Sequence, residues 1–375
     1  MAPRAALTFA FLFLAGAFVA GAAPAAAQTL PYAIGAGGGY ESYTFLDPLA
    51  IGIERVSLAT FPFAARVRPS DRIEVELSGA FARGSLARTD GSSATISGWT
   101  DTRIRAAFSL VDGRATVGIT GLLPTGKATQ TADEVAVAGV VASDLLPFRI
   151  SNWGTGGGIG LNTTLAVPVR GFGLGVSAGY TMMREFEPLD ESERVYRPGD
   201  EFQLRIAADR TFGSAVKGSL VLGLRRYADD ALDGESFFEP GNRYEAIGAV
   251  SFAAARGASA VAYLGVQHRG AGTFTVDDVE APARDLILAG ARMRVLVGRG
   301  VLLPALDTRV FRRSDGVGQG YLADLGLSLE WPVRSWTLVP TLRTRFGKVL
   351  FWEGEDGFVR GGEIGLAVRL GGLRP

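Results

Sequence analysis

One stretch of the sequence has residue types and spacing that suggest phosphate chemistry. In "GLLPTGKA", Gly121, Gly126 and Lys127 match the nucleotide-binding pattern G-x-x-x-x-G-K-[ST]. However, Ala128 stands where that pattern needs a hydroxyl for Mg²⁺, and Pro124 lies inside the loop. No alternation of strands and helices surrounds the stretch, as a nucleotide-binding βαβ unit would require. We therefore interpret it as the end of a β-strand.

Catalytic and metal chemistry find little support elsewhere. The chain has no cysteine and one histidine, His268, in "GVQHRG" without a nucleophile motif beside it. His268 shares an alternating face with Leu264 and Val266, so it is expected at lipid headgroups or in an exposed loop. We predict no catalytic residue, no metal site and no cofactor, and we do not expect an enzyme.

The beginning of the chain indicates export. Arg4 precedes an apolar run and then small residues, which is the pattern of a secretory signal peptide cleaved after Ala27. The alternative is an uncleaved anchor, because the run is nearly long enough to span a membrane. We predict a signal peptide over residues 1–27 and a single domain over residues 28–375.

Composition narrows the class of the remaining chain. Glycine accounts for 51 of 375 residues, well above the usual ~7%. Positive and negative charges balance at 38 each, which argues against a nucleic-acid partner. No later segment has the ~18 consecutive apolar residues of a membrane helix. A soluble β-protein and a bacterial outer-membrane barrel are the two classes left.

Residues alternate between apolar and polar along most of the chain, as in "DLILAGARMRVLV" and "YLADLGLSLEW". This period of two predicts sixteen strands, with twelve or fourteen as alternatives. The predicted strands are 32–43, 56–67, 73–83, 99–110, 114–122, 153–169, 172–184, 201–211, 217–227, 243–255, 260–269, 285–297, 301–312, 320–331, 336–346 and 362–370.

The connections between these strands favour a barrel over a soluble sandwich. Joins after even-numbered strands are short ("VDG", "RG", "GRG"), whereas those after odd-numbered strands are mostly long ("LARTDGSSATIS", "KVLFWEGEDGFVR"). Short turns at one end and long loops at the other are typical of all-β, transmembrane, antiparallel up-and-down β-barrels of Gram-negative outer membranes. An even strand number places both termini on the periplasmic side. Aromatic residues near strand ends resemble interfacial girdles: Tyr32, Trp99, Trp153, Phe172, Tyr321, Trp331, Trp336 and Phe346.

A family resemblance rests on two neighbouring segments. "SGWTDTRIRAAFSL" followed by "ATVGITGLLPTGKA" resembles the outer-membrane transporter family of the phenol meta-cleavage (phenol-degradation) pathway. The resemblance covers some thirty residues and implies an outer-membrane barrel that passes small or hydrophobic molecules. It does not identify the substrate. The matching residues are Gly98, Asp101, Gly121, Leu123, Pro124, Thr125, Gly126 and Lys127.

The longest loop, residues 123–152, is the first candidate for a functional element. Thr131 and Glu134 form a capping-box pattern before an apolar run, which predicts a helix over about 132–142. We expect this loop to fold into the barrel and narrow it, by analogy with general porins. The alternative is a helix that packs on other loops outside. The constriction-loop candidates are Lys127, Asp133, Glu134 and Asp144.

The second candidate is the inner wall. A charge on the lipid face costs up to ~2–4 kcal/mol at mid-membrane, so charged strand residues should point inward. They could form salt bridges that stiffen the wall, or an arginine-rich field that gives mild anion preference. The pore-lining candidates are Arg103, Arg105, Arg205, Arg292, Arg294, Asp307, Arg309, Asp324, Arg343, Arg345 and Arg369. Further inward residues are Arg225, Glu74, Glu76, Asp101, Glu201, Asp209, Glu245, Glu330 and Glu363.

These patterns together predict an outer-membrane, porin-like channel for passive diffusion of small solutes. Hydrophobic or aromatic compounds and anions are the solute classes considered. The alternative is a non-conducting structural or anchor barrel. Expected partners are the lipid bilayer, lipopolysaccharide, small solutes and the barrel-assembly machinery. The sequence leaves the oligomeric state open.

Overall fold

The computed structural model describes residues 32–48, 52–111, 113–144, 146–254, 257–316, 319–352 and 355–371. The predicted signal peptide lies outside these residues. Within them, no helix is long and apolar enough to cross a membrane.

The described residues form a closed antiparallel up-and-down β-barrel of sixteen strands, which confirms the predicted fold class. Every barrel strand pairs with its neighbours along the chain, except that β4 and β5 together make one barrel strand against β3. Five short strands, β9, β12, β13, β16 and β17, form a separate sheet, the rim sheet.

In chain order the strands are β1 (Tyr32–Phe45), β2 (Ile53–Ser70), β3 (Ile73–Arg88), β4 (Ser93–Trp99), β5 (Thr102–Leu110), β6 (Ala115–Leu123), β7 (Gly158–Val169), β8 (Phe172–Met183), β9 (Tyr196–Arg197), β10 (Glu201–Phe212), β11 (Val216–Tyr227), β12 (Asp230–Leu232), β13 (Glu235–Glu239), β14 (Arg243–Ala253), β15 (Ser259–Arg269), β16 (Gly272–Phe274), β17 (Val279–Ala281), β18 (Arg284–Val297), β19 (Gly300–Arg313), β20 (Gly320–Val333), β21 (Trp336–Trp352) and β22 (Glu355–Gly371).

Pairing between the first and last strands closes the barrel. β1 and β22 pair without interruption from Ala33 opposite Gly371 to Phe45 opposite Val359. Closure gives β1 and β22 a paired neighbour on both sides, so the sheet has no open first or last strand. The start of β1 and the end of β22 therefore both lie at the short-turn end, as the even strand number predicts.

The short-turn end is built from tight hairpins. Between β7 and β8, Val169 pairs with Phe172, which leaves a two-residue turn of Arg170 and Gly171. Both turn residues have positive φ, 49° and 85°. Two successive residues with positive φ match a type I′ turn, whose twist fits the right-handed twist of the paired strands.

The long-loop end contains more regular structure than the sequence indicated. The predicted loop "LARTDGSSATIS" continues as paired strand on both sides, and only the turn at residues 89–92 separates β3 from β4. Ala94 and Ile96 explain the extension, because both point to the same face as Leu86 and all three are buried. The rim sheet likewise orders parts of three loops, which follow β8, β11 and β15.

The two faces of the barrel differ in chemistry. Directly opposite residues on neighbouring strands share a face, so the pairing register assigns the side chains along each strand. Large apolar side chains exposed to solvent cover the outer face, among them Ile34, Phe61, Ile104, Leu161, Leu222, Leu264, Leu306, Leu342 and Leu366. The inner face carries most of the charged strand residues and, toward the long-loop end, a buried apolar cluster. Asp285 and Arg312 are exceptions, because the register places them on the outer face.

Candidate functional site

The loop between β6 and β7, residues 124–157, folds inside the barrel, and we call it the inner loop. Its helix α1 (Ala132–Val141) begins at Thr131, whose side chain accepts from the Glu134 N–H while Glu134 accepts from the Thr131 N–H. The predicted helix and capping box are thereby confirmed. Val137 and Val141 of α1 are buried in the apolar cluster of the inner face. Val137 lies beside Gly84 and Ile96.

Trp153 anchors the end of the inner loop. Its side chain is 0% exposed, and its indole N–H donates to the Ala82 carbonyl at 3.2 Å. The prediction that Trp153 belongs to an interfacial girdle is therefore wrong. β7 begins only at Gly158, so Trp153 precedes the strand and is free to turn inward.

The segment "PTGK", residues 124–127, begins the inner loop and docks on a gap between β4 and β5. Asp101 lies in this gap, where its Oδ1 accepts from the Gly126 N–H at 3.1 Å. Its Oδ2 accepts from the N–H and the hydroxyl of Thr155, both at 2.7 Å. Thr125 adds a hydrogen bond from the Thr102 N–H at 2.9 Å. One carboxylate thus joins the start and the end of the inner loop to the wall.

Close packing explains why glycine occupies this junction. A Cβ at Gly126 would meet the Trp153 carbonyl oxygen at 2.1 Å and the Asp101 nitrogen at 2.7 Å. A Cβ at Gly98 would meet the Lys127 Cβ at 3.0 Å. Gly98 and Gly126 therefore meet Asp101 and Lys127 of the two resembling segments in one place.

The four constriction-loop candidates all make contacts within or from the inner loop. The Lys127 ammonium pairs with Glu134. Asp133 is largely exposed, with a contact to Arg88 at 3.6 Å. Asp144 pairs with Arg284 of β18 at 3.1 Å, and its carbonyl accepts from Arg309 of β19 at 3.3 Å.

The segment after Asp144 continues the inner loop toward β1 and β22. The Arg149 N–H donates to Glu41 Oε2 at 2.9 Å, and its guanidinium pairs with Glu363. Phe148 packs edge-on against Tyr43, with ring centroids 5.0 Å apart. The inner loop therefore contacts β2 to β4 through its helix, β18 and β19 through Asp144, and β1 and β22 through residues 148–149.

Arg345 forms the centre of a charged network beneath this segment. Its side chain is 3% exposed, and its guanidinium donates to Glu41 at 3.0 Å, Asp324 at 2.8 Å and Glu363 at 2.7 Å. It also donates to the Tyr43 hydroxyl at 2.8 Å. Three carboxylates around one planar guanidinium form charge-assisted hydrogen bonds, which are stronger than neutral ones.

The network extends along the wall through Asp307. Arg343 bridges Asp324 at 2.9 Å and Asp307 at 3.3 Å, while Arg292 lies 3.5 Å from Asp307. The Tyr263 hydroxyl also donates to Asp307, at 2.5 Å. A cavity of about 480 Å³ opens beside these groups. Its wall includes Glu41, Pro147, Arg149, Tyr263, Arg292, Asp307, Arg309, Asp324, Arg343, Arg345 and Glu363.

The register places all eleven pore-lining candidates on the inner face, but only some of them meet. Arg292, Asp307, Arg309, Asp324, Arg343 and Arg345 line the cavity. The remaining five lie elsewhere: Arg103 and Arg105 on β5, Arg205 on β10, and Arg294 and Arg369 near the short-turn end.

Acidic groups compensate the arginines that were expected to form a one-sided positive field. Glu41, Asp307, Asp324 and Glu363 pair with Arg149, Arg292, Arg343 and Arg345, and Glu330 pairs with Arg369 at 3.1 Å. The wall from β18 to β22 therefore carries a salt-bridge network, with Arg309 as an additional cation.

Sequence reasoning did not select four of the residues around this network: Glu41, Tyr43, Arg149 and Tyr263. Glu41 and Tyr43 continue an alternating face that begins with Gly35, Gly37 and Gly39 in β1. This alternation could have identified both residues as inward. It is hard to recognise, because glycine has no side chain to mark a face. Arg149 had no usable signal, since nothing local shows where a loop arginine will lie.

His268 is on the outer face, at the long-loop end of β15. Its Nδ1 lies 2.7 Å from Asp285 Oδ1, and the side chain is half exposed. Within the described residues, no group of three or more His, Cys, Asp or Glu side chains could hold a metal ion.

No family model matches the sequence, and no curated protein matches it. Among solved structures, OprB of Pseudomonas putida at high pH is similar with a TM-score of 0.47 and 12% identity, covering 91% of this chain and 94% of that one. A loop-deletion mutant of OmpT, an outer membrane protein of Vibrio cholerae, has a TM-score of 0.43 and 9% identity, covering 91% and 99%. A Rhodopseudomonas blastica porin mutant has a TM-score of 0.36 and 12% identity, covering 90% and 99%.

Proposed function

We propose that this protein is an outer-membrane channel through which small polar solutes diffuse passively, with the inner loop as its constriction. The observation that carries the proposal is the contrast between the two faces of one closed barrel. The outer face exposes large apolar side chains, which suits contact with lipid tails. The inner face carries charged groups and a cavity of about 480 Å³, which suits water and polar solutes.

The position of the inner loop supports a role in restricting passage. It is held by apolar burial at Trp153, by the Asp101 carboxylate and by the Arg149 contacts with Glu41 and Glu363. Together with those of Thr125 and Asp144, these contacts attach the loop to β1 to β5 and to β18, β19 and β22. The inner face of β10, which carries Arg205, belongs to the remaining wall of the barrel.

Residues lining the lumen also bear on the solute. The resemblance to the phenol-pathway family suggests hydrophobic or aromatic molecules, whereas the cavity wall is rich in carboxylates and guanidiniums. We therefore favour polar and anionic solutes over hydrophobic ones. The same proposal includes export directed by a signal peptide, insertion by the barrel-assembly machinery and contact with lipopolysaccharide.

Deleting residues 130–146 and recording single channels in planar bilayers tests the constriction. We expect discrete openings from the unaltered protein and a larger conductance from the deletion. Replacing residues 276–278, in the turn of the rim sheet between β16 and β17, by glycine is the control and should leave conductance near the unaltered value. Equal conductance in all three proteins would contradict the constriction. Silence from all three would favour a non-conducting anchor barrel.

Ion preference is a separate measurement on the same channels. We expect mild anion preference from the cations without ion pairs on the inner face. A reversal potential that shows clear cation preference would contradict this expectation.

A further inference from the structure

Five arginines occupy directly opposite positions on five neighbouring strands of the inner face. Arg225 is paired in register with Arg243, Arg243 with Arg269, Arg269 with Arg284, and Arg284 with Arg313. We call this set the arginine row. Neighbouring strands are about 4.8 Å apart, so the row covers roughly 20 Å of wall.

Such an arrangement is unfavourable unless other charges compensate it. Like charges directly opposite on paired strands destabilise a sheet. Three members have acidic partners: Arg225 pairs with Glu201 at 3.4 Å, Arg284 with Asp144 at 3.1 Å, and Arg313 with Asp315 at 2.6 Å. The remaining two members are Arg243 and Arg269.

Arg243 and Arg269 have no carboxylate partner among the residues that the structure describes. Arg243 donates to the neutral side chain of Gln267, and the Arg269 guanidinium lies 5.5 Å from the centroid of the Tyr227 ring. Asp230, in the rim sheet above, is engaged by the Tyr196 hydroxyl and the Gly199 N–H. The row therefore contains two adjacent, partly exposed guanidiniums, Arg243 and Arg269, without an ion-pair partner among the described residues.

The row also leads to the cavity. Its member Arg284 holds Asp144 of the inner loop, and the carbonyl of Asp144 accepts from Arg309, which lines the cavity. From Arg313 to Arg225 the row crosses the wall at the long-loop end, where a solute from outside would arrive.

We propose that Arg243 and Arg269 form a binding site for a small oxyanion, a phosphate or a carboxylate, on its way to the constriction. Two guanidiniums can each offer parallel N–H donors to one oxyanion, a geometry that guanidinium favours over ammonium. The step from this site into the lumen rests on the proposed channel function, whereas the binding itself does not.

Titration of the detergent-purified barrel with inorganic phosphate at low salt, followed by calorimetry, tests the binding. We expect saturable binding that weakens about tenfold in Arg243→Gln and in Arg269→Gln, because each removes charge-assisted hydrogen bonds. The double variant should not bind measurably. Arg369→Gln is the matched control, since it removes one inner-face guanidinium near the short-turn end and should keep full affinity. Heat-modifiable migration on gels checks that each variant folds, and Arg243→Lys should restore part of the affinity.

Succinate in a parallel titration distinguishes the two sources of the oxyanion. Tighter binding of phosphate would identify a phosphate site, and tighter binding of succinate a carboxylate site. Absence of saturable binding for both, or equal affinity in the double variant and in Arg369→Gln, would overturn the proposal.

Planar-bilayer recording separates this proposal from the channel itself. Phosphate should reduce chloride current in the unaltered protein and not in the double variant. Binding without conductance would support the oxyanion site and contradict the proposed channel function. Conductance without phosphate or succinate binding would support the channel function and contradict the oxyanion site.

Discussion

Asp101 Oδ1 accepts a hydrogen bond from the Gly126 backbone N–H at 3.1 Å, across the gap between β4 and β5. This contact joins the two segments that carry the family resemblance, twenty-five residues apart in sequence. The nucleotide-like spacing of Gly121, Gly126 and Lys127 thus corresponds to a strand end and a docked loop. The same carboxylate also holds Thr155, so it controls both ends of the inner loop.

Replacing Asp101 by alanine should release the inner loop. The change removes hydrogen bonds to Gly126 and Thr155, and bonds to a charged group are each worth about 1.5–3 kcal/mol. We expect faster proteolytic cleavage within residues 124–157 and about 3 kcal/mol lower stability against urea. Asp90→Ala, in the exposed turn between β3 and β4, is the control and should behave as the unaltered protein. Identical cleavage rates for both variants would contradict the role of Asp101.

Gly126→Ala should displace the same junction by steric conflict. The added Cβ would lie 2.1 Å from the Trp153 carbonyl oxygen, so backbone must move. Gly121→Ala in the same segment is the matched control, because a Cβ there meets no atom within 4 Å. Altered single-channel conductance is expected for Gly126→Ala alone. A similar change in both variants would argue against the packing explanation.

Trp153→Ala should weaken the attachment of the inner loop to the wall. Removing a fully buried tryptophan costs about 3–5 kcal/mol and also leaves the Ala82 carbonyl without its indole partner. We expect noisier and larger channel openings. Trp99→Ala on the outer face serves as comparison, because 46% of that residue is exposed. A channel record unchanged by Trp153→Ala would show that the inner loop is held by other contacts.

Arg345→Gln should be strongly destabilising. Removing the guanidinium leaves the Glu41, Asp324 and Glu363 carboxylates close together and buried, and breaking such a network costs about 3–5 kcal/mol. Arg369→Gln breaks one exposed pair with Glu330 and should cost no more than about 1 kcal/mol. Unfolding in urea, followed by tryptophan fluorescence, measures both. Equal losses in the two variants would contradict the central position of Arg345.

The rim sheet should respond to alkaline pH through Tyr196. Burial, and then the hydrogen bond to Asp230, raise the pKa of Tyr196 above its ordinary value near 10. Because the folded pKa is raised, the stabilising contribution is complete below pH 10 and is lost as pH rises through the folded pKa. Ultraviolet titration should show a late-ionising step, and Tyr196→Phe should reduce the amplitude of that step by one tyrosine. A late step of unchanged amplitude in Tyr196→Phe would refute the assignment.

Much of the barrel could be predicted from local sequence. Alternation of apolar and polar residues assigns a face to each strand residue, and a one-residue slip would turn the inward charges of a strand to the lipid side. The inward placement of Asp324, Arg343 and Arg345 followed from this rule. The capping box of α1 was equally local, since Thr131 and Glu134 need only each other.

The contacts of the candidate site could not be predicted in the same way. Trp153 has the appearance of a girdle residue, but its position before β7 allows it to turn into the barrel. Ion pairing depends on which strands become neighbours and on how the inner loop lies across them. For that reason, no local sequence pattern predicted that Glu41 and Asp307 would form ion pairs with the arginines of the wall.

By itself the sequence determined the membrane-spanning parts of the barrel strands, their inward and outward faces and the helix of the inner loop, because these depend on residues close together in the chain. Only the tertiary structure decided that Glu41 and Arg345, 304 residues apart, share a hydrogen bond. It also decided that Arg225, Arg243, Arg269, Arg284 and Arg313 stand side by side. The physical reason is barrel closure: the pairing of β1 with β22 and the register of each neighbouring pair set which inward side chains meet.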